Sequence, residues 1–273
     1  MIVFPNAKIN LGLDILRRRP DGYHDIETAM LPVPWCDILE IVPAAGPDTT
    51  LTVSGRKVDC PPEKNLVMKA YRAMQERYGL PAVDIYLRKI IPDGAGLGGG
   101  SADAAFTLTA LNSLFKIGAD EGELEAIAAG LGADCPLFVR NQPVFATGTG
   151  TDLTSIDINL SGLTIAIVKP PVSVPTAQAY SRVTPAEPAI HIPEILSLPV
   201  GEWQGRLVNA FEASVFPIHP MLADVKQTLL DAGASYAAMS GSGSALFGLF
   251  ETDILSEAMT RRFPGCTVFV AKL

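Results

Sequence analysis

Between residues 83 and 88, apolar Val83, Ile85 and Leu87 alternate with Asp84, Tyr86 and Arg88. A period of two residues predicts a half-buried strand. Around it the pattern changes to that of helices. Asn65 is suited to cap a helix running to about Tyr78, with Leu66, Ala70, Met74 and Tyr78 along one face. After the strand, residues 92–103 read PDGAGLGGGSAD and open a second helix, with Ala104, Leu108, Leu111 and Phe115 on one side. A further helical stretch, 120–131, follows with no strand between the two. Nearer the start, residues 2–16 alternate loosely through Ile2, Phe4, Ile9, Leu11 and Leu13, as a strand and turn would. Pro20 and Gly22 punctuate a turn at 19–22, and strand-like runs recur at 38–42 and 51–53.

Beyond residue 155 the texture changes. The run 163–168 (LTIAIV) reads as a strand, and 169–180 as a proline-rich loop leading into a short helix. Helices fit 203–216 and 221–231, strands fit 236–239 and 245–250, a helix fits 253–263 and a last strand 266–271. Strand, helices, hairpin, helix, strand is the order of a ferredoxin-like α+β sandwich. The expectation is therefore a two-domain α+β protein, residues 1–155 and 156–273.

Composition narrows the function classes. Of 273 residues, 48% are hydrophobic and 18% charged, which supplies a core and argues against disorder. The mean hydropathy of +0.27 is high, yet no apolar run approaches the roughly 20 residues that span a bilayer. The segment MIVFPNAKIN lacks the basic start and apolar stretch of a secretion signal. Cys36, Cys60, Cys135 and Cys266 are scattered, without a paired zinc or disulfide spacing. A cytoplasmic protein with reduced thiols is expected. A net charge of −8 without a basic tract disfavours nucleic acid, so an anionic ligand must be held by a few local cations and by backbone N–H groups.

The glycine loop suggests which groups those are. Gly94, Gly96, Gly98, Gly99 and Gly100 crowd the junction of a strand and a helix. Glycine there allows the backbone to approach a ligand, with successive N–H groups and the helix dipole aimed at an anion. A merely flexible loop is the plain alternative. The dinucleotide spacing (Gly94, Gly96, Gly99) is present, but the second strand ending in an acidic residue is not. The Walker loop needs Gly-Lys-Ser/Thr, and here Gly100 is followed by Ser101 and Ala102. Protein kinases place their loop in a hairpin and carry His-Arg-Asp further on, and neither feature occurs here.

The loop that remains, P-x-G-x-G-L-G-G-G-S-[AS]-[DN], resembles the ATP motif of the GHMP kinase superfamily. Four other segments match that family in order: FPNAKINLGL (4–13), RPDGYHDIET (19–28), GADCPLFV (132–139) and SGSGSA (240–245). The Lys-x-Asn and Asp-Gly-Tyr-His pieces resemble most the branch that phosphorylates a cytidyl diphosphate alcohol on the non-mevalonate route to isoprenoids. The resemblance implies a first domain like domain 2 of ribosomal protein S5, a ferredoxin-like second domain, and ATP with its magnesium. ATP would be held by Pro92, Asp93, Gly94, Ala95, Gly96, Leu97, Gly98, Gly99, Gly100, Ser101 and Ala102, with Asn65, Lys89 and Ser242 on the adenine or phosphate side. No carboxylate stands out as a dedicated magnesium ligand. The loop reads Ser-Ala-Asp where many relatives have Ser-Ser-Asn, which leaves open the side chain that touches metal or phosphate.

Phosphoryl transfer needs alignment and positive charge rather than covalent help. By resemblance Asp134 is the catalytic base and Lys8 its cationic partner; from spacing alone they would be a helix cap and a lysine snorkelling from a strand edge. Tyr23, His24 and Tyr180 would frame the cytosine, Asn10 the diphosphate or accepting alcohol, and Thr176 and Lys169 a second substrate loop. His24 could equally be an ordinary turn residue, and His191 and His219 read as structural. The rival readings are a homoserine or phosphomevalonate type of kinase and a non-catalytic ATP sensor. Oligomeric state stays open.

Overall fold

The computed structural model describes residues 1–58 and 60–273. In chain order its strands and α-helices are β1 (Ile2–Val3), β2 (Asn6–Arg18), β3 (His24–Cys36), β4 (Ile38–Pro43), β5 (Thr50–Gly55), α1 (Leu66–Tyr78), β6 (Val83–Lys89), α2 (Gly99–Leu114), α3 (Glu121–Ala129) and α4 (Cys135–Arg140). They continue as β7 (Val144–Thr147), β8 (Asp152–Ser155), β9 (Thr164–Lys169), α5 (Thr176–Tyr180), α6 (Ile192–Leu196), α7 (Phe211–Val215), α8 (Pro220–Asp231), β10 (Tyr236–Met239), β11 (Leu246–Phe250), α9 (Ser256–Arg262) and β12 (Thr267–Lys272). Two compact units are built from interleaved stretches: residues 1–7, 35–93 and 98–142 form one, and residues 8–34, 94–97 and 143–273 the other.

In the first unit a sheet runs β1-β4-β6-β5. β5 lies parallel to β6, with Leu51 opposite Ile85 and Val53 opposite Leu87. Parallel neighbours need a crossover, and α1 supplies it. The Asn65 side chain caps α1 by accepting from Val67 N at 2.9 Å, and the helix ends at left-handed Gly79. Leu39, Ile41, Met74, Ile85, Leu87, Leu108 and Leu111 are among the residues of its core. The α1 and β6 periodicities thus point inward as the sequence pattern requires.

The second unit holds two sheets. One runs β10-β11-β9-β12 with every neighbour antiparallel, the order expected of a ferredoxin-like sandwich. Its core joins Ala166, Val168, Leu222, Val225, Leu229, Met239, Leu246 and Phe250. The other runs β2-β3-β7-β8. β3 is not evident from sequence: Pro32 and Pro34 interrupt it, and residues 25–31 are buried without alternation, which removes the period-two signal.

One expectation changes. The helix read over 203–216 is a short 3₁₀ turn at Val200–Glu202 followed, after a turn, by α7 alone. Gly205 breaks it, in the left-handed region at φ +84. Asn209 then donates through Nδ2 to Met239 O and Gly241 O, and accepts from Phe211 N. The hairpin β7–β8 and the five-residue α6 were too short to show a period. Among the described residues, no helix is long and apolar enough to cross a membrane.

Candidate active site

β6 delivers the chain to the glycine loop and α2 takes it away. Three successive carbonyls of that loop are engaged by the fold: Ala95 O accepts from Ala245 N (3.0 Å), Gly96 O from the Ser240 hydroxyl (2.8 Å) and Leu97 O from Lys8 N (2.9 Å). The Ala95 and Leu97 side chains are buried. With its oxygens bonded inward, such a loop presents N–H groups to a ligand. Gly98 occupies the N-cap position of α2 and brings no capping side chain. The first-turn N–H groups of Gly99, Gly100 and Ser101 have no acceptor within the helix and sit at its positive end. Gly96 adopts φ +77, and a Cβ built there would fall 2.0 Å from Ser240 O. Only glycine fits.

Lys8 and Asn10 lie two residues apart on β2 and therefore share a face. The buried Lys8 ammonium donates to Asn10 Oδ1 at 2.7 Å, Asn10 Nδ2 to Thr28 Oγ1 at 3.0 Å, and the Thr28 hydroxyl to Gly12 O at 2.6 Å. Asn10 N also donates to Ser240 Oγ at 3.2 Å. A buried cation requires such polar company, and the relay fixes where it points. In the same unit the His24 and Tyr180 rings stack, 4.9 Å between centroids and 21° between planes, and Phe211 meets Tyr180 edge-on at 4.7 Å. Tyr23 is 68% exposed, at the tip of a turn in which Asp21 accepts from its backbone N–H. Thr176 Oγ1 lies 3.3 Å from Ser242 Oγ. Lys169 Nζ donates to the carbonyls of Pro170 and Val172 at 2.8 Å each, contacts that tie down its own loop. His191 Nδ1 stands 2.8 Å from Glu27 Oε2, and that contact raises its pKa above the ordinary histidine value.

In the first unit, Asp134 stands at the N-cap position of α4 with Pro136 in the first turn, yet its carboxylate makes no capping hydrogen bond. The capping alternative therefore does not account for it. Burial pushes the pKa of the Cys135 thiol up to about 11, against a lowering influence of Ser101 in the first turn of α2. Lys89, expected on the adenine or phosphate side, is engaged by the protein itself. Its ammonium is buried and donates to Asp37 and, at 2.6 Å, to Asp103. Two carboxylates thus surround its charge. The Asn65 carbonyl oxygen is likewise engaged, in capping α1.

Sequence reasoning missed Asp37, Phe211 and the role of Ser240. Asp37 carries no local signal. Ser240 lies in the matched SGSGSA segment, but only its contacts with Asn10 and Gly96 distinguish it from Ser242. Among the described residues, no group of three or more His, Cys, Asp or Glu side chains is arranged to hold a metal ion.

Comparison with known proteins agrees with this geometry. Residues 65–146 match the family model of the GHMP kinases N terminal domain, and residues 199–265 that of the GHMP kinases C terminal region. A Parabacteroides distasonis protein named 4-diphosphocytidyl-2-C-methyl-D-erythritol kinase is 56% identical over 251 residues, 92% of each chain. A Porphyromonas gingivalis protein of the same name is 52% identical over 252 residues, again 92% of each. A solved 4-(cytidine 5'-diphospho)-2C-methyl-D-erythritol kinase is similar with a TM-score of 0.84 at 33% identity, covering 99% of this chain and 98% of that one. This chain belongs to the GHMP kinase family.

Proposed function

We propose that the protein transfers the γ-phosphoryl group of ATP to the 2-hydroxyl of 4-diphosphocytidyl-2-C-methyl-D-erythritol, a step of non-mevalonate isoprenoid synthesis. The observation that carries the ATP half is the inward engagement of the carbonyls of residues 95–97, which leaves N–H groups and the α2 terminus for the phosphates. The stacked His24 and Tyr180 rings, backed by Phe211, support a planar base on the acceptor. The names of the close relatives favour the same substrate over homoserine or phosphomevalonate.

In this reading Asp134 takes the proton from the accepting hydroxyl as its oxygen bonds to the γ-phosphorus. The bond from that phosphorus to the bridging oxygen breaks, and ADP leaves. Lys8, held by Asn10, steadies negative charge as it spreads over the transferring group. Magnesium arrives with ATP as part of that substrate, held largely by phosphate oxygens and water.

A coupled ADP-release assay over a panel of cytidyl and non-cytidyl alcohols tests the assignment. ADP release is expected with the cytidyl acceptor and not with homoserine or phosphomevalonate, and CMP should compete with that acceptor. Turnover of a non-cytidyl alcohol in preference would overturn it. Gly96→Ala adds about 1–2 kcal/mol of left-handed strain to the Ser240 clash. It is expected to raise the KM for ATP about tenfold or more, and an unchanged KM would remove the loop from the nucleotide site.

A further inference from the structure

Behind the glycine loop, Lys89, Asp37 and Asp103 form a charge cluster that the proposed chemistry does not use. All three are buried, with relative exposures of 5%, 0% and 3%. Lys89 closes β6, Asp37 joins β3 to β4, and Asp103 lies one turn into α2. The cluster grips both ends of the loop. Asp37 Oδ1 accepts from the backbone N–H groups of Ile90 and Ile91 at its entrance, and Lys89 holds Asp103 at its exit. Between them, a Cβ on Gly99 would lie 3.0 Å from the Ile91 side chain and 3.4 Å from Lys89 Nζ. The cluster is also out of balance: one ammonium faces two carboxylates, and Asp103 Oδ1 is buried without a hydrogen-bond partner.

We propose that Asp37, Lys89 and Asp103 form a positioning device for the loop, whose net charge sets how tightly that loop holds a polyphosphate. The proposal rests on the reading of the loop as the ATP site. With Asp103 ionised the cluster carries one net negative charge behind an anion-binding loop; with Asp103 protonated it is neutral. Burial raises the Asp103 pKa, and repulsion from Asp37 adds to the rise against the pull of Lys89, to about 7. Lys89 remains an ammonium: burial works against its charge, but Asp103 and Asp37 hold its pKa above the ordinary lysine value.

Among the described residues, the other elements packed on α2 bring no second countercharge to Asp103: of the strands there, β4 adds the acidic Glu40 and β1 only Ile2 and Val3. α1 buries Val67, Met68, Ala70, Tyr71 and Met74, and the Tyr71 hydroxyl donates to Pro81 O. α3 contributes Glu121, Glu123 and Glu125, of which Glu123 is paired with Arg77 and Glu125 with Arg140. α4 contributes the neutral Cys135 thiol at Ser101, with Asp134 beside that thiol. Polyphosphate affinity should therefore fall as the pH rises through neutrality. Asparagine at 103 keeps an acceptor for Lys89 and carries no charge, and so imitates the protonated form at every pH.

The test is calorimetric binding of ADP and of a non-hydrolysable ATP analogue to the parent and to Asp103→Asn, at about pH 6 and about pH 8. Ionisation of the nucleotide and of every other side chain is common to both proteins, so the difference between them isolates Asp103. The parent is expected to lose about threefold or more in affinity relative to the variant over that range. At the higher pH the variant should bind more tightly than the parent. Equal pH dependence in the two proteins would overturn the device and leave the loop assignment standing. A parent that binds neither nucleotide at either pH would overturn the loop assignment, and the device with it.

Discussion

Asp134→Asn is expected to lower kcat by about two to three orders of magnitude while ATP affinity stays within about threefold. Asparagine keeps the shape and the polarity of the side chain but cannot take up the hydroxyl proton. The replacement removes no capping hydrogen bond from α4. In the mutant the alcohol must lose its proton to water, and the rate that remains comes from positioning and charge stabilisation alone. Steady-state kinetics with the cytidyl acceptor, paired with nucleotide titration, separate the two quantities. A kcat close to that of the parent would remove Asp134 as the base, whatever happened to KM.

Lys89→Met should destabilise the fold by about 3–5 kcal/mol near pH 8. Methionine fills much of the volume but leaves Asp37 and Asp103 facing each other without a countercharge. The pH dependence has a defined sign. A carboxyl whose folded pKa is raised, as that of Asp103 is to about 7, contributes stability that is fully present below its ordinary value and is lost as pH rises through the folded one. Without the ammonium Asp103 favours the protonated form more strongly still. The deficit of the variant should therefore shrink as the pH is lowered from about 8 to about 5. The contribution of Lys89 itself is lost only as pH passes above the ordinary lysine range, so it does not blur that window. Urea unfolding at the two pH values measures the effect. A variant as stable as the parent near pH 8 would mean that the ammonium is not the countercharge of the pair.

What could be read from the sequence followed from how local its cause is. The β6 alternation, the Asn65 cap and the α1 stripe depend on neighbours within a few residues, and all three stand as read. The order of elements in the C-terminal half likewise implied the sheet order β10-β11-β9-β12. β3 escaped because burial on both faces and two prolines erase the alternation that marks a strand. Helix 203–216 was overread because apolar spacing cannot reveal that Gly205 turns left-handed. In the site, the pairing of Lys89 was not legible because its first partner, Asp37, stands 52 positions away. The hydroxyl of Ser240 owes its role to Gly96, 144 positions distant, and no window along the chain holds both.

The interleaving of the two units bears on how the chain can be divided. Residues 8–34 emerge early from the ribosome, yet they are grouped with strands that emerge last. A fragment beginning at Pro143 would lack β3, so β7 would lose the ladder that sets Thr28 against Ala146 and Met30 against Val144. The opposite fragment, ending at Gln142, would retain the whole β1-β4-β6-β5 sheet but carry β2 and β3 with a bare edge. Such an edge invites pairing with another copy. Proteolysis or truncation at that junction thus yields one half missing a template strand and another exposing one: the first unit survives whole, and the second is divided between the fragments.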